Sequence, residues 1–232
     1  DVAVAAGVRR VLFFSTIAVY GPTGGRMVDE TSPPRPDTFY ARTKLEAEGI
    51  VLQAINAAGE PLGTVLRLAA VYGTRIKGNY DQLLKALHRG WFLPLGRGEN
   101  RRTLVYDRDV ALAAVLALDC PEAAGRIYNV TDGRWYSLNE IIATLCEALG
   151  RRPPRWSLPL PLVRALVGFA ERTAGRLGVS LPLNRSRIDK YTEDVAVEGC
   201  RIQRELGFKP RFDLARGWAD AVREMGLTGK TS

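Results

Sequence analysis

The residues with the clearest chemical potential are Tyr40 and Lys44, in the run Tyr40-Ala-Arg-Thr-Lys44. Positions i and i+4 share one face of a helix, so a phenol and an ammonium group at this spacing can point into one site. A fixed cation beside a phenol favours the phenolate and draws it from about pKa 10 toward the working range of a general acid–base. An ordinary exposed helix pair has the same spacing, so the surrounding sequence must decide. Upstream, the apolar run Val11-Leu-Phe-Phe14 leads straight into the hydroxyls Ser15 and Thr16, then Ile-Ala-Val-Tyr-Gly21. Small hydroxyls at the carboxyl end of a parallel strand lie where open α/β sheets bind ligands.

The elements needed to position these groups read as alternating strands and helices. Val8–Phe14 is a short apolar run suited to a buried parallel strand. A Pro- and Gly-rich loop over 21–36 precedes a helix expected from Phe39 to Ala58, capped by Asp37 or Thr38 and followed by Gly59. Leu62–Val71 reads as a second buried strand, ending at Tyr72-Gly73. Helical patterns at Tyr80–Arg89 and Val110–Leu118 flank a short strand at Thr103–Tyr106, and Arg126–Val130 is another strand. Ser137-Leu-Asn-Glu140 has the form of a capping box and opens a helix ending at Leu149-Gly150. Beyond Pro153-Pro154 come a helix over Leu160–Arg176, a polar loop, and a last helix at Leu214–Met225. This alternation predicts an α/β fold with a mainly parallel sheet. The opening Asp1–Gly7 reads as the last turns of a helix with a glycine cap, with no initiator Met or signal ahead of it. The chain is therefore expected to begin inside a fold.

Composition narrows the function classes. The chain has 232 residues, 46% apolar and 25% charged, enough for a real core and unlike disordered, collagenous or disulfide-scaffold sequences. Cys120, Cys146 and Cys200 are far apart and His88 is the one histidine, which argues against a Cys/His zinc site and for reduced thiols in the cytoplasm. The most apolar helical stretch, Pro161–Ala170, is too short to span a bilayer and contains Arg164, so no membrane association is expected. A net charge of +8 favours anionic partners, either nucleic acid or a phosphorylated metabolite. The basic residues, 27 Arg against 6 Lys, cluster only at Arg9-Arg10, Arg101-Arg102 and Arg151-Arg152, so no specific nucleic-acid site is expected. A non-catalytic basic binding module is the competing class. Trp91, Trp135, Trp156 and Trp218 read as packing residues, since no repeated aromatic–basic pattern joins them. His88 and the Asp29-Glu30 pair read as surface, and Asp109 as a cap for the helix at Val110.

The order strand, hydroxyls, loop, Tyr-x-x-x-Lys helix resembles the short-chain dehydrogenase/reductase superfamily. Val19-Tyr-Gly21 narrows the resemblance to the extended branch of nucleotide-sugar epimerases, dehydratases and reductases. Further matches follow in order. Val65-Leu-Arg-Leu-Ala-Ala-Val-Tyr-Gly73 resembles the strand whose end, here Ala69, passes the nicotinamide ring. Lys77-Gly-Asn-Tyr80 resembles the segment whose Asn, here Asn79, meets the substrate diphosphate. The stretch from Gly96 through Arg102 to Asp109 is similar to the one whose Arg, here Arg102, grips that diphosphate. Tyr128-Asn-Val-Thr-Asp-Gly133 with Ser137 and Glu140, and Arg204-Glu-Leu-Gly-Phe-Lys-Pro210, resemble the opening and ending of the carboxyl-terminal lobe.

The resemblance implies a Rossmann-like parallel sheet with a smaller C-terminal α/β substrate lobe. The sheet is expected to be incomplete, lacking the N-terminal βαβ units, because no Gly-x-x-Gly-x-x-Gly pyrophosphate turn occurs. Residues 1–73 would be the last part of the NAD-binding domain and 74–232 mainly the nucleotide-sugar lobe, with Thr103–Val130 returning to the first domain. NAD would meet Tyr40, Lys44 and Ala69, and a UDP-sugar would meet Thr16, Asn79 and Arg102, with no metal. Tyr40, Lys44 and Thr16 would be catalytic in a cytoplasmic homodimer of polysaccharide biosynthesis. The implied reaction is NAD-dependent C4 epimerisation through a 4-keto sugar, the alternative being NAD(P)H-dependent reduction of a preformed 4-keto sugar. One departure is Ala70, where galactose epimerases place Asn. The run from Val71 to Leu95 is more similar to enzymes of UDP-N-acetyl sugars, 4-ketoreductases among them.

Overall fold

Val65 and Leu66 are fully buried, as a strand covered on both faces requires, and they lie in the middle of a parallel sheet. A computed structural model describes residues 2–75, 78–176 and 185–227. Asp1, Lys77 of the Lys77–Tyr80 motif and the first part of the expected polar loop, 177–184, lie outside the described residues. The first sheet has the order β1 (Val11–Thr16), β2 (Gly63–Leu68), β5 (Ile127–Val130), all parallel. A second sheet has the order β3 (Ala70–Tyr72), β4 (Arg101–Tyr106), β6 (Trp135–Ser137), with β3–β4 parallel and β4–β6 antiparallel. The helices are α1 (Val2–Ala5), α2 (Phe39–Leu52), α3 (Asn79–Arg89), α4 (Asp107–Asp119), α5 (Leu138–Ala148), α6 (Leu160–Arg176), α7 (Arg185–Thr192), α8 (Cys200–Leu206) and α9 (Leu214–Glu224). Two buried clusters hold the sheets. Val19, Leu66, Tyr128, Val130 and Phe208 belong to the first, and Tyr72, Tyr106, Ile141, Leu145 and Trp218 to the second.

Several boundaries differ from the sequence expectation, each for a local reason. The first strand begins at Val11 and runs on through Thr16, so both hydroxyls are strand residues. Helix α2 stops at Leu52 instead of Ala58, because Asn56 accepts the backbone N–H groups of Ala58 and Glu60 and closes a turn instead. The expected strand Leu62–Val71 is two strands. Ala69 still donates its N–H to Val130 on the first sheet, while Ala70 already pairs with Leu104 on the second. Helix α4 starts at Asp107, so Asp109 lies within its first turn and does not cap Val110. Its buried carboxylate instead accepts the backbone N–H groups of Arg211 and Phe212 at 3.0 and 3.1 Å, tying α4 to the chain entering α9. Strand β6 and helices α7 and α8 fall where the sequence reading placed no element, α7 lying within the expected polar loop.

Three expectations about single side chains also change. Glu30 is half-buried and accepts the backbone N–H of Asn129 at 2.7 Å, a strand-end contact and not surface solvation. His88 is half-buried in α3. Of the four tryptophans only Trp218 is fully buried, stacking at 4.7 Å on Tyr72, whereas Trp91 and Trp156 are almost wholly exposed.

The capping box at Ser137 is present in both directions: Glu140 donates its N–H to the serine hydroxyl and its carboxylate accepts the Ser137 N–H. Two Val-Tyr-Gly sequences end on glycines that the backbone demands. Gly21 has φ +64°, and a Cβ there would lie 1.9 Å from the Arg35 carbonyl oxygen. Gly73 has φ +154° against the Asp107 carboxylate, where a Cβ would lie 2.2 Å from an oxygen.

Candidate active site

Thr38 begins the site by capping α2, its hydroxyl accepting the Ala41 N–H at 3.1 Å. This fixes Tyr40 in the first turn and Lys44 one turn later. The Lys44 ammonium donates to the carbonyl oxygen of Phe14 at 2.8 Å and lies 5.9 Å from the centre of the Tyr40 ring and 4.8 Å from that of Phe13. Lysine has three donors, so this anchor leaves the ammonium able to meet a ligand as well. Tyr40 is 56% exposed, and its hydroxyl makes no hydrogen bond among the described residues. Thr16 ends β1, two residues beyond the Phe14 carbonyl, and its hydroxyl accepts the Ala18 N–H at 3.2 Å. Lys44 thus ties the Tyr40–Lys44 face of α2 to β1 two residues before its end at Thr16.

Beneath them lies a buried polar assembly that the sequence reading did not identify. Glu48, one turn beyond Lys44, accepts two hydrogen bonds from the Arg67 Nε at 3.0 and 3.2 Å and one from its Nη2 at 2.7 Å. Ser15 donates to the same carboxylate at 2.5 Å. The Arg67 guanidinium also sits 4.9 Å from the centre of the Tyr20 ring, and Tyr20 donates to Asn129 at 2.8 Å. Burial raises the Tyr20 phenol, and Arg67 acts against that rise. The sequence signal was available: an arginine inside the apolar strand Val65-Leu-Arg-Leu68 requires a buried anion, and Glu48 continues the Tyr40–Lys44 face.

Ala69 is buried at the junction of the two sheets, between β2 and β3. Asn79 is exposed at the first position of α3. Arg102, on β4, is half-buried and donates to the Tyr191 carbonyl oxygen at 2.9 Å. Burial pushes the Tyr80 phenol, next to Asn79, up to about 12, and the charge of Arg102 pulls the other way. Arg102 therefore lies within electrostatic reach of the start of α3. Beside it, the 95–100 segment, Ser157, Pro159–Pro161 and Thr192 line an open hollow of about 500 Å³. Thr16 belongs to the first sheet, Tyr40 and Lys44 to the helix α2 packed on it, and Arg102 to the second sheet, with Asn79 on the helix after β3; Ala69 is the step between the sheets. Among the described residues no cluster of His, Cys, Asp or Glu could hold a metal.

Fold and site together define an α/β protein with an accessible Tyr–Lys pair at the carboxyl end of a parallel sheet. The chain belongs to the NAD dependent epimerase/dehydratase family, whose model matches residues 1–131. It is 26% identical over 213 residues to the N-acetyl-alpha-D-glucosaminyl-diphospho-ditrans,octacis-undecaprenol 4-epimerase of Escherichia coli O157:H7, covering 91% of this chain and 63% of that protein. It is 29% identical over 229 residues to the UDP-glucose 4-epimerase of Vibrio cholerae, covering 95% of this chain and 64% of that protein. The crystal structure of UDP-glucose 4-epimerase from Thermotoga maritima with UDP-glucose shares the fold, with a TM-score of 0.73 at 22% identity over 97% of this chain and 66% of that one. The chain thus spans less than two thirds of the length of both curated relatives.

Proposed function

We propose that this chain carries the catalytic and substrate-binding part of an NAD-dependent nucleotide-sugar 4-epimerase acting on UDP-sugars. The observation that carries the reading is the Tyr40–Lys44 pair, held at the strand end by the 2.8 Å bond from Lys44 to the Phe14 carbonyl. Family membership and the two epimerases among its relatives support the reaction class. The residues fit the nicotinamide half of the cofactor: Lys44 has further donors for ribose hydroxyls, and Ala69, just past the end of β2, carries only a methyl group. NAD, held by Tyr40, Lys44 and Ala69, would supply the hydride acceptor and donor for C4.

The chain's own residues handle the proton. Tyr40 takes it from the sugar 4-hydroxyl and later gives it back to the C4 oxygen. The positive charge of Lys44 stabilises the negative charge that develops on the Tyr40 oxygen. Thr16 hydrogen-bonds the same sugar oxygen and holds it toward Tyr40. Asn79 and Arg102 bind the diphosphate, Arg102 through a charge-assisted contact, with the adjoining hollow taking part of the nucleotide sugar.

In domain terms, residues 1–73 are read as the end of the NAD-binding domain and 74–232 as the nucleotide-sugar lobe, with Thr103–Val130 returning. Packing of α4 and β5 with the first buried cluster supports that return. Three free cysteines support a reducing, cytoplasmic setting, and the expected assembly is a homodimer. The test is C4 interconversion of UDP-N-acetylglucosamine, then UDP-glucose, by the complete protein with NAD. Interconversion supports the epimerase. Net consumption of NAD(P)H with a 4-keto sugar and no interconversion assigns a reductase, and strong retention of duplex DNA at physiological salt, weakening steeply as salt rises, with no UDP-sugar response assigns a basic binding module.

A further inference from the structure

Arg101 and Arg102 are consecutive on β4, so their side chains leave opposite faces of the sheet. Arg102 lies within electrostatic reach of Tyr80 at the start of α3, where the diphosphate contact is proposed. Arg101 meets the loop over 21–36 instead. Its guanidinium donates to the Gly25 carbonyl oxygen, lies 3.7 Å from the Asp194 carboxylate and sits 5.4 Å from the centre of the Trp135 ring on β6. Its backbone N–H donates to the other Asp194 oxygen at 2.6 Å.

The loop that Arg101 meets has a site residue near each end. It leaves β1 after Thr16, through the turn Ile17–Tyr20, and ends at Thr38, the cap that fixes Tyr40 in α2. Its middle lies against residues 194–198. Thr23 donates to the Asp194 carbonyl at 3.2 Å, and Val28 donates to Ala196 at 3.2 Å and accepts from Glu198 at 2.8 Å. Residues 194–198 are bonded in turn to β4: Val195 donates to the Arg101 carbonyl at 2.8 Å, and the Thr103 hydroxyl bonds Val195 and Val197 at 3.0 Å each. Gly24 and Gly25 have φ of +59° and +78°, which turns the loop back so that the Gly25 carbonyl faces β4. The Arg101 guanidinium adds a direct bond from β4 to this turn.

We propose that Arg101 is a positioning residue, a clasp that holds the loop between Thr16 and Tyr40 in register with the diphosphate site on β4. This rests on the proposed C4 reaction. A sugar gripped at its diphosphate by Arg102 must present its 4-hydroxyl to Tyr40. A shift of about 1 Å between grip and acid–base group costs on the order of 10²-fold in rate. Adjacent residues on one strand thus acquire opposite kinetic signatures: Arg102 acts on KM, and Arg101, through the loop, on kcat.

The test is steady-state kinetics of the complete protein with NAD and UDP-N-acetylglucosamine. Arg101→Ala should lower kcat about tenfold or more while KM stays within about threefold. Arg101→Met keeps the apolar stem and loses the guanidinium; it should behave alike and carries the test if the alanine variant does not fold. Arg101→Lys, with one ammonium for several contacts, should fall between these variants and the parent. In the Tyr40→Phe background the loss of Arg101 should add little, because the group being aligned is gone. Trypsin cleavage after the exposed Arg26 should quicken once the clasp is lost. The proposal is overturned if the folded variant keeps the parental kcat or loses only in KM. It is also overturned if the loss is as large in Tyr40→Phe as in the parent, the mark of a general effect on folding. A parent that interconverts no UDP-sugar defeats the proposed reaction and the positioning role together, whereas a parent that does so while its variants match it defeats the positioning role alone. An unchanged rate of cleavage after Arg26 removes the clasp whatever the reaction.

Discussion

The carboxylate of Glu48 on α2 and the guanidinium of Arg67 on β2 are joined by three hydrogen bonds of 2.7 to 3.2 Å, with both side chains buried. Ser15 adds a fourth bond to the same carboxylate from β1. The helix that presents Tyr40 and Lys44 is thus fastened to both strands beneath them by one charged group. Removing Glu48 leaves the Arg67 charge buried without its partner. Glu48→Ala should therefore cost about 3–5 kcal/mol in urea unfolding. The double change Glu48→Leu with Arg67→Met removes both charges and should recover much of that loss. Equal stability of Glu48→Ala and the parent chain would show that the fork does not hold α2.

Asp132, in the turn between β5 and β6, is raised by burial to about 6, despite hydrogen bonds that act the other way. A carboxyl group whose folded pKa lies above its unfolded value of 3.8 binds protons more readily in the folded state. At neutral pH it is ionised in both states and its burial costs stability. Asp132→Asn should accordingly stabilise the chain at pH 7 by roughly 1–3 kcal/mol. As pH falls through 6 toward 3.8, protonation of the folded parent should close the gap. Melting curves of the two proteins from pH 8 to pH 4 check this, and a gap that stays constant with pH would contradict it.

Arg102 is proposed to bind the diphosphate, away from the acid–base pair. Arg102→Ala should raise KM for the UDP-sugar about tenfold or more and leave kcat within a few-fold, because a charge-assisted contact is lost while Tyr40 and Lys44 stay in place. Arg102→Lys keeps the charge without the planar fork and should fall between the two. A loss confined to kcat would place Arg102 in the chemical step.

Much of the fold was legible because its signals are local. The apolar strand around Val65, the capping box at Ser137 and the helix Leu160–Arg176 all carry their own punctuation. The overrun of α2 came from reading Ile55-Asn-Ala-Ala as helical, when the Asn56 side chain offers the backbone a turn. The break at Ala69 has no local mark at all, since a strand that changes sheets is apolar on both sides of the step. Asp109 was misplaced because its partners, the N–H groups of Arg211 and Phe212, are a hundred residues away. The Tyr40–Lys44 pair became legible from its spacing together with the strand and hydroxyls ahead of it, whereas the arginine inside the apolar strand Val65–Leu68 signalled only that some anion was needed, and the fold set Glu48 against it.

The central claim is that Tyr40 is the acid–base group. Tyr40→Phe removes one exposed hydroxyl that has no hydrogen-bond partner among the described residues, so folding should be unchanged by circular dichroism and melting. Lys44→Met should impair turnover comparably and Thr16→Val less, because water can replace one hydroxyl in part. The decisive measurement is kcat for C4 interconversion of UDP-N-acetylglucosamine by the complete protein and its Tyr40→Phe variant under saturating NAD. The account predicts a fall of at least about 10²-fold. Full turnover by Tyr40→Phe would contradict it.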